Sequence, residues 1–180
     1  NLKKWQEVAQ NRPPLYVPIS YAPILEKIPH KTEDIDLFFY GKLSAERLDF
    51  VNQLTAQNHL QRSYVWGKNI WGTIRDEMIG RSKLVLNLTG HESKNTIFEI
   101  VRVSYLLANG RAVICQKREN LEIEQDILES GLLFLDESNF NQQVQELLTN
   151  DEQRLAYAQK CKAAFCQRDI RQTLIKALNL

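Results

Sequence analysis

Apolar residues recur along this chain in two rhythms that alternate. Short apolar runs at Leu37-Phe-Phe-Tyr40, Leu60 to Trp66, Lys83-Leu-Val-Leu-Asn-Leu-Thr89, Ala112-Val-Ile-Cys115 and Leu132-Leu-Phe-Leu135 read as strands. Between and after them apolar positions fall at helical spacing. Ser44 can cap a helix carrying Leu48, Val51 and Leu54, and a short helix is expected near Ile70 to Ile79. A third, of about a dozen residues as a parallel crossover requires, is expected to start near Ile97 and to stop at Asn109-Gly110. Leu121 to Glu129 and a segment with Phe140, Val144 and Leu147 are further helices. The tail from Asp151 to Leu178 is expected to be helical, with Leu155, Ala158, Cys161 and Phe165 on one face. Strands alternating with helices predict an α/β fold, a single Rossmann-like three-layer sandwich with a mostly parallel sheet and a helical tail. Right-handed crossovers place every loop that follows a strand at one sheet edge, where ligands bind.

All five prolines lie between Pro13 and Pro29, which gives that segment extended or linker character. The expected division is therefore residues 1–30 as an approach segment, made of the end of a missing amino-terminal domain and a Pro-rich linker, 31–150 as the Rossmann-like domain and 151–180 as the helical tail. At 180 residues there is material for one full-sized core. A net charge of +1 gives no support for a nucleic-acid partner, which calls for a basic excess or stripe. No apolar run approaches the ~20 residues of a transmembrane helix, and the first residues carry no signal-peptide pattern. Three cysteines without CxxC spacing suit a reducing compartment, so a cytoplasmic location is expected. The three histidines lie too far apart for metal-ligand spacing, and no metal is expected.

The candidate chemistry sits at the strand ends. Gly41-Lys42 lies where the first strand feeds the first helix. A glycine there permits close approach of a ligand, and Lys42 and Arg47 near a helix start are unfavourable unless an anion compensates. The structural alternative is a solvated turn with Arg47 paired to Glu46 or Asp49. Glu99 fits a capping box with Thr96, and Arg102 three residues on could pair with it. Glu99 also lies at the sheet edge, where a carboxylate can hold a ribose diol. His91 stands in the loop beside the same edge. Trp66 and Trp71 bracket Gly67 in another such loop, either as packing or against a ring. Missing signatures exclude other chemistries: no GxGxxG follows the first strand, and there is no GxxxxGK[ST] loop and no GxSxG elbow. Asn87 at the end of the third strand stands where a phosphoacceptor receiver would need aspartate.

Taken in order, Phe39-Tyr-Gly-Lys42 with Ser44-Ala-Glu-Arg47, Ser82-Lys-Leu-Val-Leu-Asn-Leu88, Phe98-Glu-Ile-Val-Arg102, Leu106-Leu-Ala-Asn-Gly110 and Ala112-Val-Ile114 resemble the carboxyl-terminal half of GT-B glycosyltransferases. The closest likeness is to bacterial proteins of the retaining, family-one-domain type, over about Asp36 to Asp136. The resemblance implies a nucleotide-sugar donor as substrate and no metal. It places Gly41, Lys42 and Arg47 at the donor diphosphate and Glu99 on the ribose. His91 stands where that family has the first glutamate of its paired motif. The resemblance further implies a missing amino-terminal domain as partner and a glycan, lipid or protein acceptor. The location it implies is cytoplasmic, free or peripheral to the membrane through a parent protein. The isolated chain is then expected to bind donor while showing little transfer, because half of the cleft is absent. A second reading, favoured by His91 in the glutamate position, is a non-catalytic Rossmann-like binding or scaffold module.

Overall fold

A computed structural model of the chain describes residues 7, 9, 15–67, 70–89, 98–117, 123–136 and 138–179. The elements in order are β1 (Ile35–Tyr40), α1 (Ala45–Gln57), β2 (Ser63–Trp66), α2 (Gly72–Gly80), β3 (Ser82–Asn87) and α3 (Ile100–Ala108). They continue with β4 (Val113–Gln116), α4 (Gln125–Glu129), β5 (Leu133–Leu135), α5 (Phe140–Thr149), α6 (Asp151–Cys166) and α7 (Ile170–Leu178). Among the described residues the strands form one five-stranded sheet in the order β2-β1-β3-β4-β5, and every pairing is parallel. The molecule is thus a single Rossmann-like α/β domain with a helical tail.

Burial explains why the strands read as continuous apolar runs. A parallel sheet is covered on both faces, so neither side of a strand is left to be polar. Phe38, Tyr40, Val85, Val113 and Cys115 belong to the core under α2, α3 and α4, which the end of α6 completes with Cys161 and Phe165. Leu37, Phe39, Leu84, Leu86 and Ile114 belong to the core under α1 and α5. The half-buried positions in β1 and β3, Asp36 and Lys83, pair with each other at 3.5 Å near the amino ends of the two strands.

The direction of chain travel decides where a ligand can enter. From β1 the chain moves outward through α1 to β2, then returns through α2 on the opposite face and passes β1 to reach β3. The helices that follow the neighbouring strands β1 and β3, α1 and α3, lie on opposite faces, and the crevice at the ends of these two strands is the topological switch point of this strand order.

Three expectations are corrected in detail. The helix expected to start near Ile97 begins at Ile100 and has nine residues. The Ile100 N–H bonds the Phe98 carbonyl at 2.8 Å, and Glu99 between them has φ −75° and ψ 53°. This is an inverse γ-turn, incompatible with α-helix at Glu99. The turn lets Phe98 bury its ring against Phe134, with centroids 5.3 Å apart. In α6 Leu155 is exposed, and the buried stripe is Arg154, Ala158, Cys161 and Phe165. Arg154 takes the core position because its guanidinium reaches Glu33 at 2.6 Å and the Leu147 carbonyl at 3.1 Å. In α1 Leu48 is likewise exposed, beside a stripe formed by Arg47, Val51, Leu54 and Asn58.

The tail is two helices rather than one. Between α6 and α7 the backbone pairs with the approach segment: Tyr21 N–H bonds the Arg168 carbonyl at 2.7 Å, and Ile170 N–H bonds the Tyr21 carbonyl at 2.9 Å. The Tyr21 ring meets Phe165 edge-on, Ser20 and Thr173 share a hydrogen bond of 2.8 Å, and the Asn109 side chain bonds Leu25 and Ile28. Residues 20–28 are thereby fastened to the domain.

Candidate functional site

At the carboxyl ends of β1 and β2 the surface opens into a cleft of about 1190 Å³. Its floor is the end of β1. Phe38 and Tyr40 stack with ring centroids 5.3 Å apart, and the Arg102 guanidinium lies 5.2 Å from the Tyr40 ring centroid. Burial, partly offset by Arg102 and Arg75, pushes the Tyr40 hydroxyl up to about 12, so it stays a neutral donor at physiological pH.

Gly41 follows with φ +138°, a region that L side chains rarely adopt. Its N–H bonds the Trp66 carbonyl at 3.1 Å, and a Cβ at this position would lie 2.8 Å from Arg102 Nη2. The glycine thus makes the turn and also leaves the space that Arg102 occupies. Arg102 is held from behind: its Nη1 donates to Asn87 Oδ1 at 3.1 Å, and the Asn87 amide lies 3.7 Å from Cys115 Sγ. Burial pushes that thiol up to about 12, despite the opposing pull of the Asn87 hydrogen bond, and marks Cys115 as inert packing.

Arg75 in the first turn of α2 supplies a second guanidinium. It donates through Nε and Nη2 to Asp76 at 2.9 and 2.8 Å and stacks 4.6 Å over Tyr105. The Tyr105 hydroxyl closes the triangle by donating to the other Asp76 oxygen at 2.9 Å. Lys42, exposed at the cleft wall, makes no ion pair among the described residues. Among the described residues that line the cleft, Lys42, Arg75 and Arg102 are the cations and Glu99 the one carboxylate. Trp66 and Trp71 form the wall toward β2 and stand 40% and 75% exposed, far from the burial a packing role would give them.

The sequence-level candidates divide between two places. Gly41, Lys42 and Glu99 come together in this cleft. Glu99 is exposed, and its side chain makes no capping hydrogen bond; its backbone carbonyl accepts from the Arg102 and Val103 N–H groups at 3.1 Å each. The capping-box reading of Thr96 with Glu99 therefore fails at Glu99, which precedes the helix instead of occupying its third position. Arg47 lies apart, on the α1 side. Its Nη1 donates to the Lys42 carbonyl at 2.6 Å and its Nη2 to the Leu88 carbonyl at 2.9 Å, a brace between the ends of β1 and β3. Ser44 caps α1 as expected, accepting from the Arg47 N–H at 3.3 Å. His91 and Thr96 lie outside the described residues.

Arg75, Tyr40 and Tyr105 were not legible as site residues. One signal could have found Arg75. A helix that follows a parallel strand begins at the sheet's carboxyl edge, so a charged residue in its first turn faces that edge; Arg75 and Arg102 both do. Among the described residues no cluster of three or more His, Cys, Asp or Glu is placed to hold a metal ion, and no helix is long and apolar enough to cross a membrane. No protein-family model matches this chain, and no curated protein matches it.

Proposed function

We propose that this domain binds the nucleoside diphosphate part of a nucleotide-sugar donor in the cleft at the β1 and β2 ends, as the donor half of a glycosyltransferase. The observation that carries the reading is the convergence of Lys42, Arg75 and Arg102 with the exposed Glu99 around the turn at Gly41, opposite Trp66 and Trp71. Arg75 is already paired with Asp76, while Lys42 and Arg102 make no ion pair among the described residues, and a diphosphate would supply the anion they face. A lone carboxylate at the rim calls for a donor of hydrogen bonds, and a ribose diol supplies two. Exposed indoles offer a flat apolar face to a base or sugar ring.

In this reading the chain's residues bind and position. Lys42 and the two guanidinium groups stabilise the diphosphate, most strongly as it gains charge on leaving the sugar. Arg75 and Arg102 are pre-oriented by Asp76, Asn87 and the two tyrosines, so little ordering remains to be done when the ligand arrives. Tyr40, kept neutral, buttresses Arg102 without adding negative charge beside the phosphates.

The test is a titration of UDP and GDP followed by chemical-shift mapping. Saturable shifts at Gly41, Lys42, Arg102 and the two indole N–H groups are expected. Shifts confined to α6 and α7 would overturn the assignment.

A further inference from the structure

The cleft at the ends of β1 and β2 holds two guanidinium groups whose anchors differ in charge. Arg75 donates through Nε and Nη2 to one oxygen of Asp76, and the Tyr105 hydroxyl donates to the other. A carboxylate at 2.8 Å offsets much of the pull that Arg75 exerts on a third group. Arg102 donates through Nη1 to Asn87 Oδ1 instead, at 3.1 Å, and lies over the Tyr40 ring. An asparagine carbonyl accepts the same hydrogen bond and carries no net charge. Tyr40 is neutral as well, its hydroxyl pushed up to about 12 mainly by burial. Glu99 lines the same cleft, yet among the described residues it forms no ion pair with either guanidinium. The two arginines are thus built alike and charged differently.

Asn87 is set for this task by its place in the sheet. It ends β3 after Leu84, Val85 and Leu86 and is only 1% exposed. A polar side chain at that depth needs a partner at each end of its amide. Its Nδ2 lies 3.7 Å from Sγ of Cys115, its register partner on β4, and its Oδ1 faces Arg102. Turned over, the amide would set its NH₂ against the guanidinium N–H groups, donor against donor. Its orientation is therefore fixed from both sides. Aspartate has nearly the same shape, and at this position it would form a buried ion pair with Arg102 and neutralise it.

We propose that Asn87 is a positioning residue that presents Arg102 to the cleft with its charge intact, while Asp76 withholds that of Arg75. The two anchors together set how strongly the cleft draws a diphosphate, and the proposal rests on reading the cleft as an anion site. Calorimetric titration of UDP, and separately of inorganic diphosphate, into the full chain and two variants tests it, with thermal unfolding as the check on folding. Asn87→Asp is expected to weaken both ligands at least tenfold. Asp76→Asn is expected to tighten both several-fold. Asparagine at that position keeps an acceptor for Arg75 and turns its NH₂ to the Tyr105 hydroxyl, so the hydrogen bonds persist and only the charge is lost. A tightening is the readout that a merely structural anchor would not give. Asp76→Asn also decides alone if Asn87→Asp does not fold. The proposal is overturned if Asn87→Asp binds as tightly as the unaltered chain, or if Asp76→Asn binds no more tightly. An unaltered chain that binds neither ligand overturns it together with the nucleotide reading. Binding of inorganic diphosphate without UDP, with both variants responding as expected, would sink the nucleotide reading and leave the roles of Asn87 and Asp76 standing. Binding of UDP that neither variant changes would do the reverse.

Discussion

Glu33 accepts from two guanidinium groups at once, Arg111 at 2.9 Å and Arg154 at 2.6 Å, just ahead of β1. Both arginines are almost fully buried, and Arg111 also donates to the Ser82 carbonyl at 2.7 Å. The carboxylate offsets both buried cations; Arg154 also pairs with Asp151 at 2.6 Å, so Arg111 is the one that depends on Glu33 most. Removing one partner of a buried pair leaves the charge uncompensated and costs about 3–5 kcal/mol. Glu33→Gln is therefore expected to destabilise the domain by about 3 kcal/mol, toward the low end of that range because Glu33 keeps some contact with solvent; urea unfolding measures it. Asp169 shows a different dependence. Its side chain accepts from the Arg171 side chain and backbone N–H, and these hold its carboxyl at about 2, well below the ordinary value of 3.8. A depressed folded-state pKa contributes stability above the unfolded value and loses it as pH falls through the folded one. The melting temperature should thus fall between about pH 4 and pH 2. Asp169→Asn should flatten part of that slope, because asparagine retains the cap without titrating. A slope unchanged by Asp169→Asn would place the acid sensitivity in other carboxylates.

At the scale of elements, caps and turns decide which residues are free to act. Ser44 holds the start of α1 through the Arg47 N–H. Glu99 sits at the start of α3 with no such bond. Ser44→Ala is accordingly expected to cost about 0.5–2 kcal/mol, whereas Glu99→Gln should leave the melting temperature where it is and lower nucleotide affinity. Thermal unfolding of the two variants beside a UDP titration separates these roles. If Glu99→Gln destabilises the chain as Ser44→Ala does, Glu99 is structural. The strands and most helices were legible in the sequence because a doubly covered parallel sheet writes itself as apolar runs, and α5 buries the three residues its spacing marks. The start of α3 was not legible. It depends on Phe98 meeting Phe134, which is distant in sequence. One residue of the core face in each of α1 and α6, Leu48 and Leu155, was misread for a related reason. The stripe of α6 opens with the buried Arg154 and that of α1 with the half-buried Arg47, whose partners are backbone carbonyls and carboxylates elsewhere in the chain. Hydropathy assigns such residues to solvent. Gly41, Lys42 and Glu99 were legible as neighbours because the topology brings every strand end to one edge. Arg75 and the tyrosines were not, since their place depends on which face each helix takes.

The whole molecule turns on that choice of face. The chain leaves β1 through a helix on one side and comes back through a helix on the other, so the cations that cluster near β1 in sequence are parted by the sheet. Lys42 stays with the cleft beside Arg75 and Arg102, while Arg47 crosses toward Leu88 and ties the ends of β1 and β3 together. The resemblance in sequence would give both residues one task at the diphosphate; the fold puts them in two places. Lys42→Ala removes an exposed cation without disturbing any described hydrogen bond of its side chain. It should leave stability unchanged and weaken UDP or GDP binding by about 1.5–3 kcal/mol, the range for a hydrogen bond to a charged group, or roughly ten- to a hundredfold. Arg47→Ala removes donors to two backbone carbonyls, one of them at the buried Leu88. It should lower the melting temperature and change nucleotide affinity far less than Lys42→Ala does. Calorimetric titration and thermal unfolding of both variants check the contrast. Equal losses of affinity with no loss of stability in Arg47→Ala would return Arg47 to the diphosphate site and show that its brace yields when the ligand binds.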